Sequence, residues 1–573
     1  MRKQRICLVI SILIVAIMLS GCVPSSEPPQ EPERPPGLPD LVWAGALTLE
    51  PSAPAVGDKL HIKQTWSNAG LAATSSEFDI RLEIRQGNFL LHDQYIRVQQ
   101  PARPGEERAI DITIDITPEY VIPRFGGYQI ILALDAREVI AESSEDNNVI
   151  ESDILRVSGF SKKVDMAAVA QAKEDIEKYR KGDVTLTIVD AKGQPCSGLA
   201  IEYAQTTHSF LFGIYWNIRA SDDERVWSLM KEAGFNYIPV TFTWKEVEPE
   251  PGTYKLGADW SRLLRQFGFA GMGHCLIFLM QGAPWSTPNY VKDLSYEEYK
   301  QAVYPHIHKV VKAFREEIKI WNVFNEPMQA HANILNLTEE QTIEVIREGV
   351  RAIRDADPEG RILINNYNPG GERPGMYPFY FLRDAIQADI DFEIIGLEFY
   401  YNAPPRHPRR NLSSMGELID EYSILGKKIQ VTEISVPSEA MGEGYWGQPW
   451  SQELQAEYLV TAYTIFFSKP QVEAIIWWDA TDKPTGYGNP FIYHGALLDE
   501  QNRPKKSYYA LKDLIKSWMT TGTGVTNGKG QINFRGFGGT YEVTITNPET
   551  GLSQKQQITI EEQKDNLITI VLD

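Results

Sequence analysis

Ile318-Lys319-Ile320-Trp321-Asn322-Val323-Phe324-Asn325-Glu326-Pro327 is an apolar, β-branched and aromatic run that ends in an Asn-Glu pair. Its nearly unbroken hydrophobicity suits a strand buried on both faces, as in a parallel sheet. The pattern returns in Lys428-Ile429-Gln430-Val431-Thr432-Glu433, another apolar run closed by a glutamate. Working outward from these two, eight strand candidates follow in order, near 210–212, 237–242, 272–278, 318–324, 362–365, 394–399, 429–432 and 474–477. Helical segments sit between them, among them 297–316, 339–356, 415–425 and 452–467. Alternation of this kind predicts a parallel sheet, and eight repeats predict a (β/α)8 TIM barrel over 159–520. A doubly wound sheet is the alternative, but no glycine-rich phosphate loop follows any of the strands.

In such a barrel the active site lies at the C-terminal ends of the strands. Glu326 ends the fourth candidate and Glu433 the seventh, so both belong on that face. Two facing carboxyl groups are what cleavage of a glycosidic bond needs: one protonates the departing oxygen and the other attacks the anomeric carbon. Like charges held close cannot both ionise freely, so the pair is expected to share its charge unequally, with Glu326 protonated beside ionised Glu433.

A chain of 573 residues exceeds one ordinary domain. Its hydrophobic content of 43% supplies large cores, and its formal charge of −20 argues against nucleic acid or an anionic membrane surface as partner. Residues 1–22 read as an export signal: Arg2, Lys3 and Arg5 precede an apolar run that closes on Leu19-Ser20-Gly21-Cys22. This resembles the bacterial lipoprotein signal, which implies lipidation of Cys22 and an exported, membrane-anchored or cell-surface protein. The alternatives are an ordinary secretory signal or a single membrane anchor. Residues 23–39, rich in Pro, Ser and Glu, predict an extended tether. After the signal only Cys196 and Cys275 remain, too few for a disulfide framework and wrongly spaced for zinc.

Residues 40–157 read as short alternating strands split by turns, which predicts a β-sandwich. The pieces Asp40-Leu41-Val42, Val56-Gly57-Asp58, Asn68-Ala69-Gly70 and Glu142 through Asn148 resemble the adhesion-related (CARDB-like) immunoglobulin-like modules of bacterial surface proteins. Residues 522–573 return to β character and predict a small appendage docked on the barrel. The fold expected is thus multidomain: an N-terminal Ig-like β-sandwich, a (β/α)8 barrel and a small C-terminal β appendage.

An ordered set of motifs carries a second resemblance. It runs from His208-Ser209-Phe210-Leu211-Phe212-Gly213, through Phe235-Asn236, Trp244 and Glu248-Pro249, to Gly273-His274, Gln281 and Pro284-Trp285. It continues with Trp321 to Glu326, Ile364-Asn365-Asn366-Tyr367-Asn368, Val431-Thr432-Glu433 and Arg503 to Tyr508. Together they resemble the family 10 glycoside hydrolases, the endo-β-1,4-xylanase family. The resemblance implies Glu326 as general acid/base and Glu433 as nucleophile of a retaining double displacement, with no metal or organic cofactor. It implies Asn325 and His274 as contacts to the sugar at the cleavage point, and Gln281, Tyr367 and Tyr400 as further substrate-binding residues. Trp478, Trp244 and Trp285 are candidates for stacking on sugar rings; for Trp478, core packing is the competing role.

The departures from that family concern the grip on the sugar. Pro239, Val240 and Thr243 stand where the family usually has a glutamate, an asparagine and a lysine. On the sixth strand Glu398 and Tyr400 replace the usual Gln and His, and Phe278 replaces a tryptophan. The expected partner is therefore a polysaccharide, xylan or a related β-glycan, with the membrane reached only through the N-terminal lipid. Two other functions stay open: the same barrel acting on a different β-glycan, and a non-catalytic glycan-binding lipoprotein.

Overall fold

The computed structural model describes residues 37–572 apart from 53, 55–57, 87–88, 117–127, 156–161, 217–222, 258, 281–284, 328, 368–377, 401–410, 441–443 and 485–493. Cys22, the signal and most of the tether lie outside the described residues, as does Gln281. Among the described residues no helix is long and apolar enough to cross a membrane.

The N-terminal module is built from two sheets, the four-stranded one antiparallel. One sheet orders Leu41–Glu50, Lys59–Asn68 and Glu107–Asp115; the other orders Phe89–Val98, Phe78–Gln86, Gln129–Ala133 and Val149–Glu151. Strict alternation of buried and half-buried positions along Lys59–Asn68 puts Trp66 inside, edge-on to Phe78 at 5.4 Å. The Asn68 side chain ties the turn together. Its oxygen accepts the Asp40 and Gly70 amides at 3.0 Å each, and its nitrogen donates to the Ala72 and Ala102 carbonyls. Gly70 is required there, since a Cβ would come within 2.5 Å of the backbone at Pro39 and Asp40. The acidic turn is a clasp, with Asn148 donating to Glu142 and Glu145.

Eight parallel strands close the barrel: Leu211–Ile214, Tyr237–Thr241, Ala270–His274, Ile318–Asn325, Arg361–Asn366, Ile394–Tyr400, Lys428–Ser435 and Val472–Trp477. Closure comes from the pairing of the first strand with the eighth, Leu211 opposite Ala474 through Ile214 opposite Trp477. Helices follow the strands, including Tyr296–Phe314 and Glu339–Ala356, each started by a reciprocal side-chain cap (Ser295 with Glu298, Thr338 with Gln341). Outward strand residues such as Trp321, Val323, Leu397 and Val431 join the helices in one large core. Inward residues Tyr237, Met272, Ile320, Leu363, Ile394 and Ile476 form a separate packed plug inside the barrel.

The boundary between barrel and appendage differs from expectation. Residues 181–208, expected within the barrel segment, form strands Lys181–Val189 and Ala200–His208 of a seven-stranded sandwich with the C-terminal tail. One sheet orders Thr521–Val525, Ala200–His208, Gly539–Thr546 and Ser553–Ile560; the other orders Gln531–Phe537, Lys181–Val189 and Asp565–Val571. The physical reason is the half-buried alternation of Lys181–Val189, which suits a sandwich face rather than a strand covered on both sides. Leu186, Ile188, Ile201, Tyr541, Val543 and Ile560 fill this smaller core. Buried Arg180 rivets it to the barrel, donating to the carbonyls of Phe467 at 2.5 Å and Val472 at 2.6 Å.

Candidate active site

Two strands carry an extra residue just before the site. On the fourth strand Asn322 pairs with Leu363 but Phe324 pairs with Ile364, so Val323 is unmatched. Val323 and Phe324 therefore both face the helices, and Asn325 is turned into the barrel mouth. On the seventh strand Val431 pairs with Leu397 but Glu433 pairs with Glu398, leaving Thr432 unmatched. That bulge turns Thr432 and Glu433 inward together. Glu326 follows the fourth strand at φ +55, a left-handed conformation that costs a non-glycine residue on the order of 1 kcal/mol. Its backbone N–H donates to the Asn365 carbonyl at 2.8 Å, which fixes the corner.

The side chains meet in one hydrogen-bonded network. Asn322 donates to the Asn325 oxygen at 2.8 Å and to His274 Nδ1 at 3.3 Å. Asn325 in turn reaches Glu326 Oε1 at 3.3 Å. The buried amide nitrogen of Asn365 lies 2.8 Å from Asn325 Oδ1, 2.7 Å from Glu398 Oε1 and 3.1 Å from Glu433 Oε1. Its oxygen accepts the Thr432 hydroxyl at 2.5 Å. Gly396 leaves the space this amide occupies, because a Cβ there would sit 2.4 Å from Asn365 Oδ1. Tyr400 donates its hydroxyl to Glu433 Oε2.

Electrostatics follow from burial. Desolvation pushes Glu433 up to about 8, against the pull of the Tyr400, Glu398 and Asn365 hydrogen bonds and with a further push from the Glu326 charge. Glu398, on the sixth strand between them and only 1% exposed, is driven well above the usual carboxylate range by burial and by the Glu433 and Glu326 charges. The carboxyl proton expected on Glu326 alone thus has a second home in the Glu398–Glu433 pair. Burial holds His274 down to about 4, so its ring is neutral. With Asn322 donating to Nδ1, the ring proton sits on Nε2, 3.8 Å from Glu433 Oε1.

The remaining candidates divide. Trp478 faces the barrel mouth, while Trp477 points outward and donates to the Gly495 carbonyl at 3.0 Å. One face of Trp478 is covered by Tyr215, stacked at 3.9 Å and 6°, and His274 meets it edge-on at 5.2 Å. Tyr367 stands edge-on to His331, whose Nε2 is 2.5 Å from Glu326 Oε2. Trp285 packs on Phe278 beyond the end of the third strand. Trp244 is a correction. It is buried, lies flat on His306 at 3.9 Å and 4°, and donates to the Tyr290 hydroxyl, so it has no face left for a sugar.

Sequence reasoning did not assign roles to Asn322, Asn365, His331 and Tyr215. The sequence signal for Asn365 is the pair of uncharged amides, Asn365 and Asn366, that closes the apolar run Ile362–Ile364. Cys196 and Cys275 are both free.

The family model described as glycosyl hydrolase family 10 matches residues 208–514, more than half of the chain and the whole of the barrel's strand set. The chain belongs to this family. The CARDB family model matches residues 38–152, the N-terminal sandwich. Among curated relatives, an anti-sigma-I factor of Acetivibrio thermocellus is 25% identical over 389 residues, covering 67% of this chain and 47% of that protein. An endo-1,4-β-xylanase/feruloyl esterase of Xylanibacter ruminicola is 23% identical over 312 residues, 49% of this chain and 42% of the relative. Endo-1,4-β-xylanase B of Thermotoga neapolitana is 26% identical over 255 residues, 43% of this chain and 69% of the relative. The chain thus spans about half the length of the first two of these relatives.

Proposed function

We propose that this family 10 protein is a retaining β-glycosidase that cleaves β-1,4-xylan or a related β-glycan. The observation that carries the reading is the amide chain Glu326–Asn325–Asn365–Glu433, which couples two strand-end carboxyl groups at the barrel mouth. Glu326, beside the solvent-facing His331, gives its proton to the departing sugar oxygen as the glycosidic C–O bond breaks. Glu433, held by Tyr400 and Asn365, forms the bond to the anomeric carbon. Water, deprotonated by Glu326, then releases the sugar from Glu433 with net retention. Asn325 and neutral His274 bind the hydroxyls of the reacting sugar, and Trp478, backed by Tyr215, borders its ring. The N-terminal signal and CARDB module support export and residence at the cell surface through a lipid on Cys22.

A second reading, capture of a glycan without cleavage, draws on the altered grip at Pro239, Val240 and Thr243 and on the relative named as an anti-sigma factor. Release of reducing sugar from xylan, mixed-linkage glucan and mannan separates the two. Release that disappears in Glu433→Ala supports cleavage; binding without release from any of the three supports capture.

A further inference from the structure

We propose that Glu398 is a positioning residue that keeps a carboxyl proton beside the nucleophile, donating a hydrogen bond to Glu433 so that Glu433 stays ionised and aimed. The inference rests on the assignment of Glu433 above and adds a third carboxyl group to it.

The geometry leaves little alternative. Glu398 and Glu433 are opposite one another in the register of the sixth and seventh strands. Their carboxyl groups converge on one nitrogen, that of Asn365, 2.7 Å from Glu398 Oε1 and 3.1 Å from Glu433 Oε1, which sets the two side by side. Two ionised carboxylates have only acceptors, so a bond between them requires one proton. The groups that face Glu398 offer no positive charge to replace that proton. They are Glu433 from the seventh strand, Glu326 after the fourth, Cys275 after the third, and Tyr400 on its own strand. Among the described residues no lysine or arginine pairs with any of the three glutamates.

Of the two partners, Glu433 is the one whose ionised form is better served, because it takes the Tyr400 hydroxyl in addition to the Asn365 amide that both carboxyls share. The proton therefore stays on Glu398. During glycosylation the Glu433 oxygen bonds to the anomeric carbon, the bond to the leaving oxygen breaks, and the Glu398 proton does not transfer. It continues to donate to the ester oxygen. At low pH the pair takes a second proton and the nucleophile is lost. At high pH Glu398 ionises, the donor is lost, and two adjacent carboxylates push apart.

The test is the pH profile of kcat/KM on a dinitrophenyl β-xylobioside, whose leaving group departs without a proton from Glu326. The wild type is expected to fall about tenfold on the alkaline side, the scale of one hydrogen bond to a charged group. That fall is expected to be absent in Glu398→Gln, whose amide still donates but does not titrate. The same alkaline fall in both proteins would overturn the proposal. Infrared spectroscopy decides the matter even if the wild type turns over no glycoside, an outcome that would count against the enzymatic reading alone. A protonated carboxyl band at neutral pH, titrating on the alkaline side in the wild type and missing from Glu398→Gln, supports the assignment. A wild type without such a band refutes it, whether or not the variant folds.

Discussion

Asn365 reaches past the sixth barrel strand, so that its amide nitrogen lies 3.1 Å from the Glu433 carboxylate on the seventh. The same nitrogen serves Asn325 and Glu398, and no other described side chain touches all three. Replacing Asn365 with Ala leaves the Thr432 hydroxyl and the Asn325 oxygen each short of a partner and frees Glu433 to move. Loss of one such preorganised donor typically costs about 10²–10³ in kcat. We expect a fall of that size in kcat with a smaller change in KM, measured by steady-state kinetics. A variant with wild-type kcat would show that the amide is only packing.

Tyr400→Phe tests the other bond to the nucleophile. The hydroxyl favours ionised Glu433, so its removal raises the carboxyl further. A higher pH is then needed to ionise the nucleophile, and the acid limb of kcat/KM should move up by about one pH unit. An unmoved acid limb, with kcat lowered uniformly, would assign Tyr400 to sugar contact instead.

Burial also sets how stability depends on pH, with two opposite signs. His208, among Phe210, Phe212, Phe467 and Phe537, is held down to about 3, and His274 to about 4. The unfolded chain binds their protons from about 6.5 downward. Their stabilisation is complete above that value and is lost as pH falls toward 4 and 3. The Glu398–Glu433 pair is raised, so the folded state binds more protons than the unfolded one above about 4.3, and stability falls as pH rises through the range where the pair gives up its proton. Thermal melts of Glu398→Gln should therefore exceed the wild type most at alkaline pH, with the gap closing in acid.

Trp244 and Trp478 should respond differently to substitution. Trp244→Phe removes a ring that lies on His306 and a hydrogen bond to Tyr290, and is expected to cost about 1–3 kcal/mol of stability with KM unchanged. Trp478→Ala should raise KM with a smaller effect on the melting temperature. Denaturant titration alongside kinetics on xylan distinguishes them, and a raised KM in the Trp244 variant would return that residue to the site.

The barrel was legible because its strands are apolar on both faces and close on polar residues, as in Ile318–Asn325 and Lys428–Ser435. The two glutamates were legible for the same reason. What the pattern did not contain was parity. A strand alternates every two residues, and one extra residue reverses every position after it. The unmatched Val323 and Thr432 are ordinary strand residues, so nothing in their identity announces that Asn325 and Glu433 are turned inward. Trp244 misled for a related reason: an aromatic ring near a barrel mouth reads the same whether it faces a sugar or a histidine from the helix layer. The strands at 181–189 and 200–208 pair with partners more than three hundred residues away, beyond any local pattern.

Those strands also decide the order in which the molecule can be completed. Thr521 pairs with Ala204 and Gly539 with His208, so the polypeptide enters and leaves the barrel through adjacent strands. The barrel is a loop tied at its neck. During synthesis Ala200–His208 emerges first and waits, its two edges open, until the whole barrel has been made and the last strands arrive to cover it. Any shortened chain that stops at the end of the barrel keeps the catalytic strands but leaves Leu186, Ile201 and their neighbours facing water. Arrival of the strands at 521–525 and 539–546, rather than barrel closure, is what covers that small core.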